Sequence, residues 1–270
     1  MSIQLEKICQ HARTIVLETG AFIRRERQSF DPSKVEYKSA HDLVSYVDKT
    51  AENMLVAGLS PLVEGCGFIT EEDSTRTVAD EYNWIIDPLD GTTNFIHGIP
   101  CFCVSIALKR KDSLVLGIVY EINLDECFYA WEGSAAYMNE VVITVSKTAD
   151  LERSLLATGF PTINYDRLDA YMEVFKHCMK NTRGLRRLGS AAADLVYAAC
   201  GRLDGFFEYA LHPWDVAGGA FIFQQAGGIV TDFSGGDNYV FGKEIVATNP
   251  HIHAEFLRML QLYFQEGKKA

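Results

Sequence analysis

The chain has 270 residues, 48% of them hydrophobic and 23% charged, with 25 Lys and Arg set against 36 Asp and Glu for a net charge of −11. That length suits one large domain or two small ones, and the composition excludes disorder, a collagen repeat and a disulfide-stapled miniprotein. The acidic balance, with no long basic run, argues against non-specific binding to nucleic acid or to an anionic membrane surface.

Ile3, Leu5, Ile8, Ala12, Ile15, Val16, Phe22 and Ile23 recur near helical spacing and predict one long amphipathic helix, which Asp31-Pro32 ends. Lys38-Ser39-Ala40-His41-Asp42 reads as a polar loop leading into a second helix from near Asp48 to Leu59. Strand-like runs follow at 66–69, 84–86, 101–108, 114–120 and 126–131, with Lys111-Asp112-Ser113 as a hairpin connection. After about residue 150 the rhythm changes. Strands are expected at 154–158, 184–188, 203–209, 228–233 and 244–248, and helices at 169–179, 191–200, 214–226 and 251–264. Clustered strands followed by strand–helix alternation suggest two layered halves, 1–150 and 151–270, packed as one unit with a site at the seam.

Seven cysteines, odd in number and with no CxxC pair, read as thiols of a reducing compartment. The first residues lack a signal-peptide core and no apolar run approaches 18 residues, so a soluble cytoplasmic protein is expected.

The chemistry is concentrated in Trp84-Ile85-Ile86-Asp87-Pro88-Leu89-Asp90-Gly91-Thr92-Thr93-Asn94-Phe95. An apolar strand ends in one aspartate and a second follows three residues on. Proline between them fixes a backbone angle and glycine after them permits a steep turn. Thr92, Thr93 and Asn94 favour a helix start. Two carboxylates and a set of free N–H groups are thereby brought to one point. Hard cations take carboxylate and carbonyl oxygens, and phosphate takes helix N-terminal N–H groups. Aspartates that merely cap a turn would look the same if they stood alone. They do not, because Thr70-Glu71-Glu72-Asp73-Ser74 adds acids after a strand, and His212-Pro213-Trp214-Asp215-Val216-Ala217-Gly218-Gly219 adds one at a helix start. His97 and His212 beside these motifs read as packing residues, and His251 and His253 as solvent-exposed.

Asp87-Pro88-Leu89-Asp90-Gly91-Thr92-Thr93-Asn94-Phe95 and Trp214-Asp215-Val216-Ala217-Gly218-Gly219 resemble the two signature motifs of the inositol monophosphatases, members of the lithium-sensitive, Mg²⁺-dependent phosphatase superfamily. Glu71 matches the acidic first motif, and Leu185 to Ala192 and Gly201 to Glu208 follow the bacterial members. The resemblance implies a layered αβαβα sandwich that joins an α+β half to an α/β half, a homodimer, and hydrolysis of a phosphate monoester using two to three Mg²⁺ ions. It implies that Glu71, Asp87 and the Leu89 carbonyl bind the metal that activates water, and that Asp87, Asp90 and Asp215 bind a second at the leaving-group oxygen. Gly91 and Thr92 N–H groups would hold the phosphate, and Thr92 with Asp48 would orient the water. Lys38 and Asp42 would belong to a mobile loop near a third, weaker metal position. Ala191, through its backbone, and Glu208 would contact inositol hydroxyls.

Three departures from the family pattern stand out. Thr70 replaces a usual glycine, 131–137 is less basic and less Gly-rich, and Asn139-Glu140 stands where Asn-Gly is common. Thr93-Asn94-Phe95 is the inositol-phosphatase form, whereas phosphatases of adenosine 3′,5′-bisphosphate usually carry Lys-Glu-Phe there. Broad sugar phosphatases and fructose-1,6-bisphosphatases are the nearer rivals, and bacterial relatives can also act as partners of the transcription machinery.

Overall fold

The computed structural model describes residues 4–30, 36–39, 42–72, 77–161 and 165–266. Helix α1 (Leu5–Gln28) buries Ile8, Cys9, Ala12, Val16, Thr19, Gly20 and Ile23, a stripe at steps of three and four. At Gly20 a β-carbon would fall 2.3 Å from the Tyr120 ring, so only glycine lets the helix approach this closely.

The expected loop at 38–42 is instead part of a hairpin. Strand β1 (Glu36–Ser39) pairs antiparallel with β2 (Asp42–Val44). Strands of four and three residues are too short to show an alternation. Lys38 lies in β1 and Asp42 in β2; their side chains, and residues 40–41, lie outside the described part. Helix α2 (Tyr46–Leu59) begins two residues before Asp48, capped by Ser45.

Seven strands then form one sheet. They are β3 (Gly67–Thr70), β4 (Tyr82–Asp90), β5 (Cys103–Arg110), β6 (Ser113–Glu121), β7 (Glu126–Trp131), β8 (Ala136–Met138) and β9 (Val141–Ile143), in that spatial order. β3 and β4 are parallel and the rest form an antiparallel meander. Helix α3 (Thr92–His97) follows β4 directly. β8 and β9 were not foreseen, because three-residue strands carry too few positions to show a period. Their turn, Asn139-Glu140, holds both residues at left-handed φ of 45° and 70°. Asn suits that geometry and Glu does not, but Glu140 is tied down by Arg13 and by a 2.7 Å bond from the Tyr129 hydroxyl.

The second sheet has the order β11-β10-β12-β14-β13. Its strands are β10 (Leu155–Thr158), β11 (Gly184–Arg186), β12 (Gly205–Tyr209), β13 (Ile229–Thr231) and β14 (Glu244–Thr248), with β14 antiparallel to both neighbours. Between them the chain forms α4 (Leu168–Asn181), α5 (Ala191–Ala199) and α6 (Pro213–Gln225), and afterwards α7 (His253–Glu266).

Three cores stack these elements into five layers. α1 and α2 cover one face of the seven-stranded sheet through Val16, Leu55, Trp84 and Ile118. α5 and α6 fill the space between the sheets, where Cys103, Val119 and Phe128 of the first meet Ala157, Phe206 and Ala247 of the second. α4 and α7 close the far side over Leu156, Phe207 and Val246. This is the αβαβα sandwich. Gly218 of α6 makes the inner layer thin, since a β-carbon there would lie 2.8 Å from the Ile106 carbonyl of β5. His253, expected at the surface, is buried with Nδ1 2.9 Å from the Thr248 hydroxyl.

Candidate active site

The site is built where β4 loses its regular pairing. Asp87 lies opposite Ser105 and Asp90 opposite Cys103, so four residues of β4 span three of β5. Pro88 in this stretch cannot donate to the ladder, and a bulge of this kind re-aims side chains. Asp87 Oδ1 accepts the Leu89 N–H at 3.0 Å, which fixes its carboxyl plane. Gly91 then takes φ 92° and starts α3. A β-carbon at Gly91 would come within 3.0 Å of the Cys101 carbonyl, so close approach and backbone angle both demand glycine.

Asp90 is held from the far side of the seam. Its Oδ2 accepts the Ser190 hydroxyl at 2.6 Å and the Ala192 N–H at 2.7 Å. The N-terminus of α5 thus meets the end of β4. Ala191, expected to offer its backbone to substrate, is the first residue of that helix, and its neighbour Ala192 is the one bonded to Asp90. Asp215 stands in the first turn of α6 and its Oδ2 accepts the His212 N–H at 2.7 Å. The His212 ring stacks on Trp214 at 4.8 Å, as befits a packing residue.

Burial is the main cause that pushes the Asp87, Asp90 and Asp215 carboxyls upward. Asp87 is raised further by Glu71, Asp90 and Asp215, and Asp215 by Asp90, Glu71 and Glu208. Asp90 reaches only about 6, because Ser190, Ala192 and the Arg187 guanidinium favour its charged form. Glu71, the pair Asp87 and Asp90, and Asp215, from three separate stretches of the sequence, therefore share one electrostatic neighbourhood. Among the described residues no three Asp, Glu, His or Cys side chains stand in an arrangement that holds an ion as it is, so side chains would have to turn toward one. The donor set itself, the buried Asp87 and the half-buried Glu71, Asp90 and Asp215 with the Leu89 carbonyl, is the set a hard divalent cation takes.

Asp48 serves two structures at once. Its Oδ2 accepts the Ser45 N–H at 2.9 Å and the Ser45 hydroxyl at 2.6 Å, closing a capping box at the start of α2. Its Oδ1 lies 3.0 Å from the Thr92 hydroxyl, which is also 2.9 Å from the Leu89 carbonyl. The expected Asp48–Thr92 pair is present, although the helix begins earlier than foreseen. One turn on, the buried Glu52 accepts the Glu72 N–H at 2.7 Å and so secures the segment that carries Glu71. Asp48 and Glu52 are four apart, so one face of α2 braces two motifs.

Glu208, in β12, is 8% exposed, and burial pushes its carboxyl up to about 8 against the opposing pull of Arg187. Asp194 was missed. It is buried in α5 with Oδ1 unpaired, and its carboxyl is pushed well upward by burial and then by Glu208 and Asp90. A single acid in the otherwise apolar run Ala191 to Ala199 was the available signal. Ser190 was also legible in principle as the helix-capping residue before that run.

Residues 4–263 match the inositol monophosphatase family. The chain belongs to the inositol monophosphatase family. It is 41% identical over 245 residues to a putative Nus factor SuhB of Neisseria meningitidis, covering 90% of this chain and 94% of the relative. It is 37% identical to an inositol-1-monophosphatase of Mesorhizobium japonicum, over 91% of this chain and 92% of that one. The solved IMPase of Thermotoga maritima superposes with a TM-score of 0.85 at 34% identity, over 94% of this chain and 96% of the other. No helix among the described residues is long and apolar enough to cross a membrane.

The Glu208 carboxyl makes stability depend on pH. Its folded value of about 8 exceeds the ordinary 4.5, so its contribution is complete below about pH 4.5 and is lost as pH rises through 8. Thermal melts of chelator-treated protein at pH 8.5 should therefore show Glu208→Gln melting above the wild type, with the difference vanishing near pH 4.5. A wild type at least as stable as the variant at pH 8.5 would contradict this.

Proposed function

We propose that the chain is a Mg²⁺-dependent phosphomonoesterase that hydrolyses myo-inositol monophosphate to inositol and inorganic phosphate. The observation that carries the reading is the convergence of Glu71, Asp90 and Asp215 on the buried Asp87, beside the turn where Gly91 opens α3. Such a cluster calls for positive charge, and Arg187 is a cation felt by both Asp90 and Glu208. Glu71, Asp87 and the Leu89 carbonyl would hold one ion, and Asp87, Asp90 and Asp215 a second. A third, weaker position would lie by the segment of Lys38 and Asp42. When bound, these ions supply Lewis-acid stabilisation of the phosphoryl oxygens and make water a better nucleophile.

The protein's own groups supply position. The Thr92 hydroxyl has one hydrogen. Given to Asp48, it leaves the oxygen lone pairs to accept a hydrogen bond from the attacking water and hold it in line. The Gly91 and Thr92 N–H groups at the start of α3 would receive the phosphate oxygens. The Glu208 carboxylate and the Ala191 backbone would receive inositol hydroxyls. Residues 1–270 act as one unit in this reading, with the site at the seam between the sheets. The reading extends to lithium inhibition, a homodimer and a cytoplasmic location; seven free cysteines support the last. Sugar monophosphates and fructose 1,6-bisphosphate are the competing substrates.

Phosphate release from myo-inositol 1-phosphate should vanish after exhaustive EDTA treatment and return with Mg²⁺. Asp90→Asn should slow every substrate by more than about tenfold, the scale on which altered metal sites lose activity. Full activity in EDTA would remove the metal-dependent reading.

The Nus-factor name of the Neisseria relative supports a second reading, in which the chain also binds the transcription machinery. The net charge of −11 favours contact with protein over direct contact with nucleic acid. Immobilised chain should then retain purified bacterial RNA polymerase or its elongation factors. Passage of all of them unretained would leave a purely metabolic enzyme.

A further inference from the structure

The Glu208 carboxyl occupies an unusual place. A β-carbon built on Gly159 would fall 2.0 Å from Glu208 Oε1 and 2.1 Å from both Cδ and Oε2. The whole carboxyl group rests where a side chain at 159 would begin. Gly159 does not owe its identity to backbone geometry, because its φ lies outside the left-handed range where glycine is required. It is buried, and follows directly on β10, which pairs in parallel with β12 so that Thr158 lies beside Phe207. The next position on each strand is Gly159 and Glu208.

The floor under the carboxyl is also fixed. The fully buried Tyr171 places its hydroxyl 3.1 Å from the Gly159 carbonyl and 3.3 Å from the Phe207 carbonyl, donating to them in turn. The Thr158 hydroxyl donates to the same Phe207 carbonyl at 2.7 Å. α4, through Tyr171, therefore clamps the end of β10 against β12. Neither strand end can slide without breaking a buried hydrogen bond. Glu208 in turn lies within electrostatic reach of Asp90, Asp194 and Asp215, at the edge of the acidic cluster.

We propose that Gly159 is a specificity-determining residue. Its missing side chain is the space that holds the Glu208 carboxylate in the position where it reads a polyol hydroxyl. This rests on the reading of Glu208 as the group that recognises inositol, and it adds a positioning residue that touches neither metal nor phosphate. A methyl group at 159 displaces only the far end of a flexible side chain, so the fold accommodates it while the carboxylate moves. Loss of that hydrogen bond then falls on substrates that present the hydroxyl and spares those that do not.

The test measures kcat/KM on myo-inositol 1-phosphate and on p-nitrophenyl phosphate for wild type, Gly159→Ala, Glu208→Gln and the double variant, with thermal melts of each. Gly159→Ala should lower the inositol phosphate value by about threefold to tenfold, the scale of one lost hydrogen bond. It should leave the aryl phosphate value within about twofold, and the double variant should match Glu208→Gln alone, since a shared cause is not additive. A Gly159→Ala enzyme like wild type on both substrates, or equally impaired on both, overturns the inference. If Glu208→Gln discriminates and Gly159→Ala does not, the role of Gly159 alone fails. If Glu208→Gln does not discriminate, the hydroxyl-reading role of Glu208 fails first. Should Gly159→Ala not fold, Gly159→Ala with Glu208→Ala removes the clash and must fold; if it does not, the carboxyl is not what the glycine accommodates.

Discussion

Burying several carboxylates in one place is the constraint around which this molecule is arranged. Moving a charge out of water costs several kcal/mol unless it is paired, and a buried acid otherwise retains its proton. Asp87 and Asp215 follow that rule, each pushed upward by burial and by acidic neighbours. Asp90 is moderated to about 6 by the Ser190 hydroxyl, the Ala192 N–H and the positive charge of Arg187. No single element could assemble this cluster. Asp87 and Asp90 come from the end of β4, Asp215 from the start of α6, and Glu208 from β12 in the other sheet. The two sheets must pack for the acids to meet, and α5 and α6 must be thin enough to let them. Ala191, Ala192, Ala193, Gly218 and Gly219 serve that need in the central layer.

Helix starts do double duty at the site. Ser45 and Asp48 cap α2, and the same Asp48 carboxylate reaches Thr92. Ser190 caps α5 by accepting the Ala193 N–H at 3.2 Å, and its hydroxyl also binds Asp90. Asp215 accepts the His212 N–H that opens α6. A side chain that satisfies an unpaired helix-terminal group is already rigid before any ligand arrives. Preorganisation of this kind is what positional catalysis needs, because a misplaced donor loses most of its effect.

Much of this was legible in sequence for physical reasons. The run Trp84-Ile85-Ile86 before Asp87 announces an apolar strand that ends in an acid, and the small residues of 191–200 announce a helix where α5 stands. Strands β14 and β7 are continuous apolar runs, and their expected bounds of 244–248 and 126–131 are those of the structure. The β1–β2 hairpin, β8 and β9 are hidden because strands of three or four residues carry too few positions to show a period. His253 was misjudged since burial of one polar ring depends on Thr248, which only the fold brings near. Glu52 and Gly159 act through contacts with residues 20 and 49 positions away and Asp194 through electrostatic reach, and no local pattern marks such contacts.

Burial and acidic neighbours push the Asp87 and Asp215 carboxyls upward, so a divalent cation that binds them displaces protons. Calorimetric titration of Mg²⁺ into chelator-treated protein at pH 6, repeated in buffers of different ionisation enthalpy, counts those protons directly. Binding should release about one proton or more per site, so that the observed heat changes with the buffer. A binding heat independent of the buffer, or proton uptake, would show that the carboxylates are already ionised and would contradict the account.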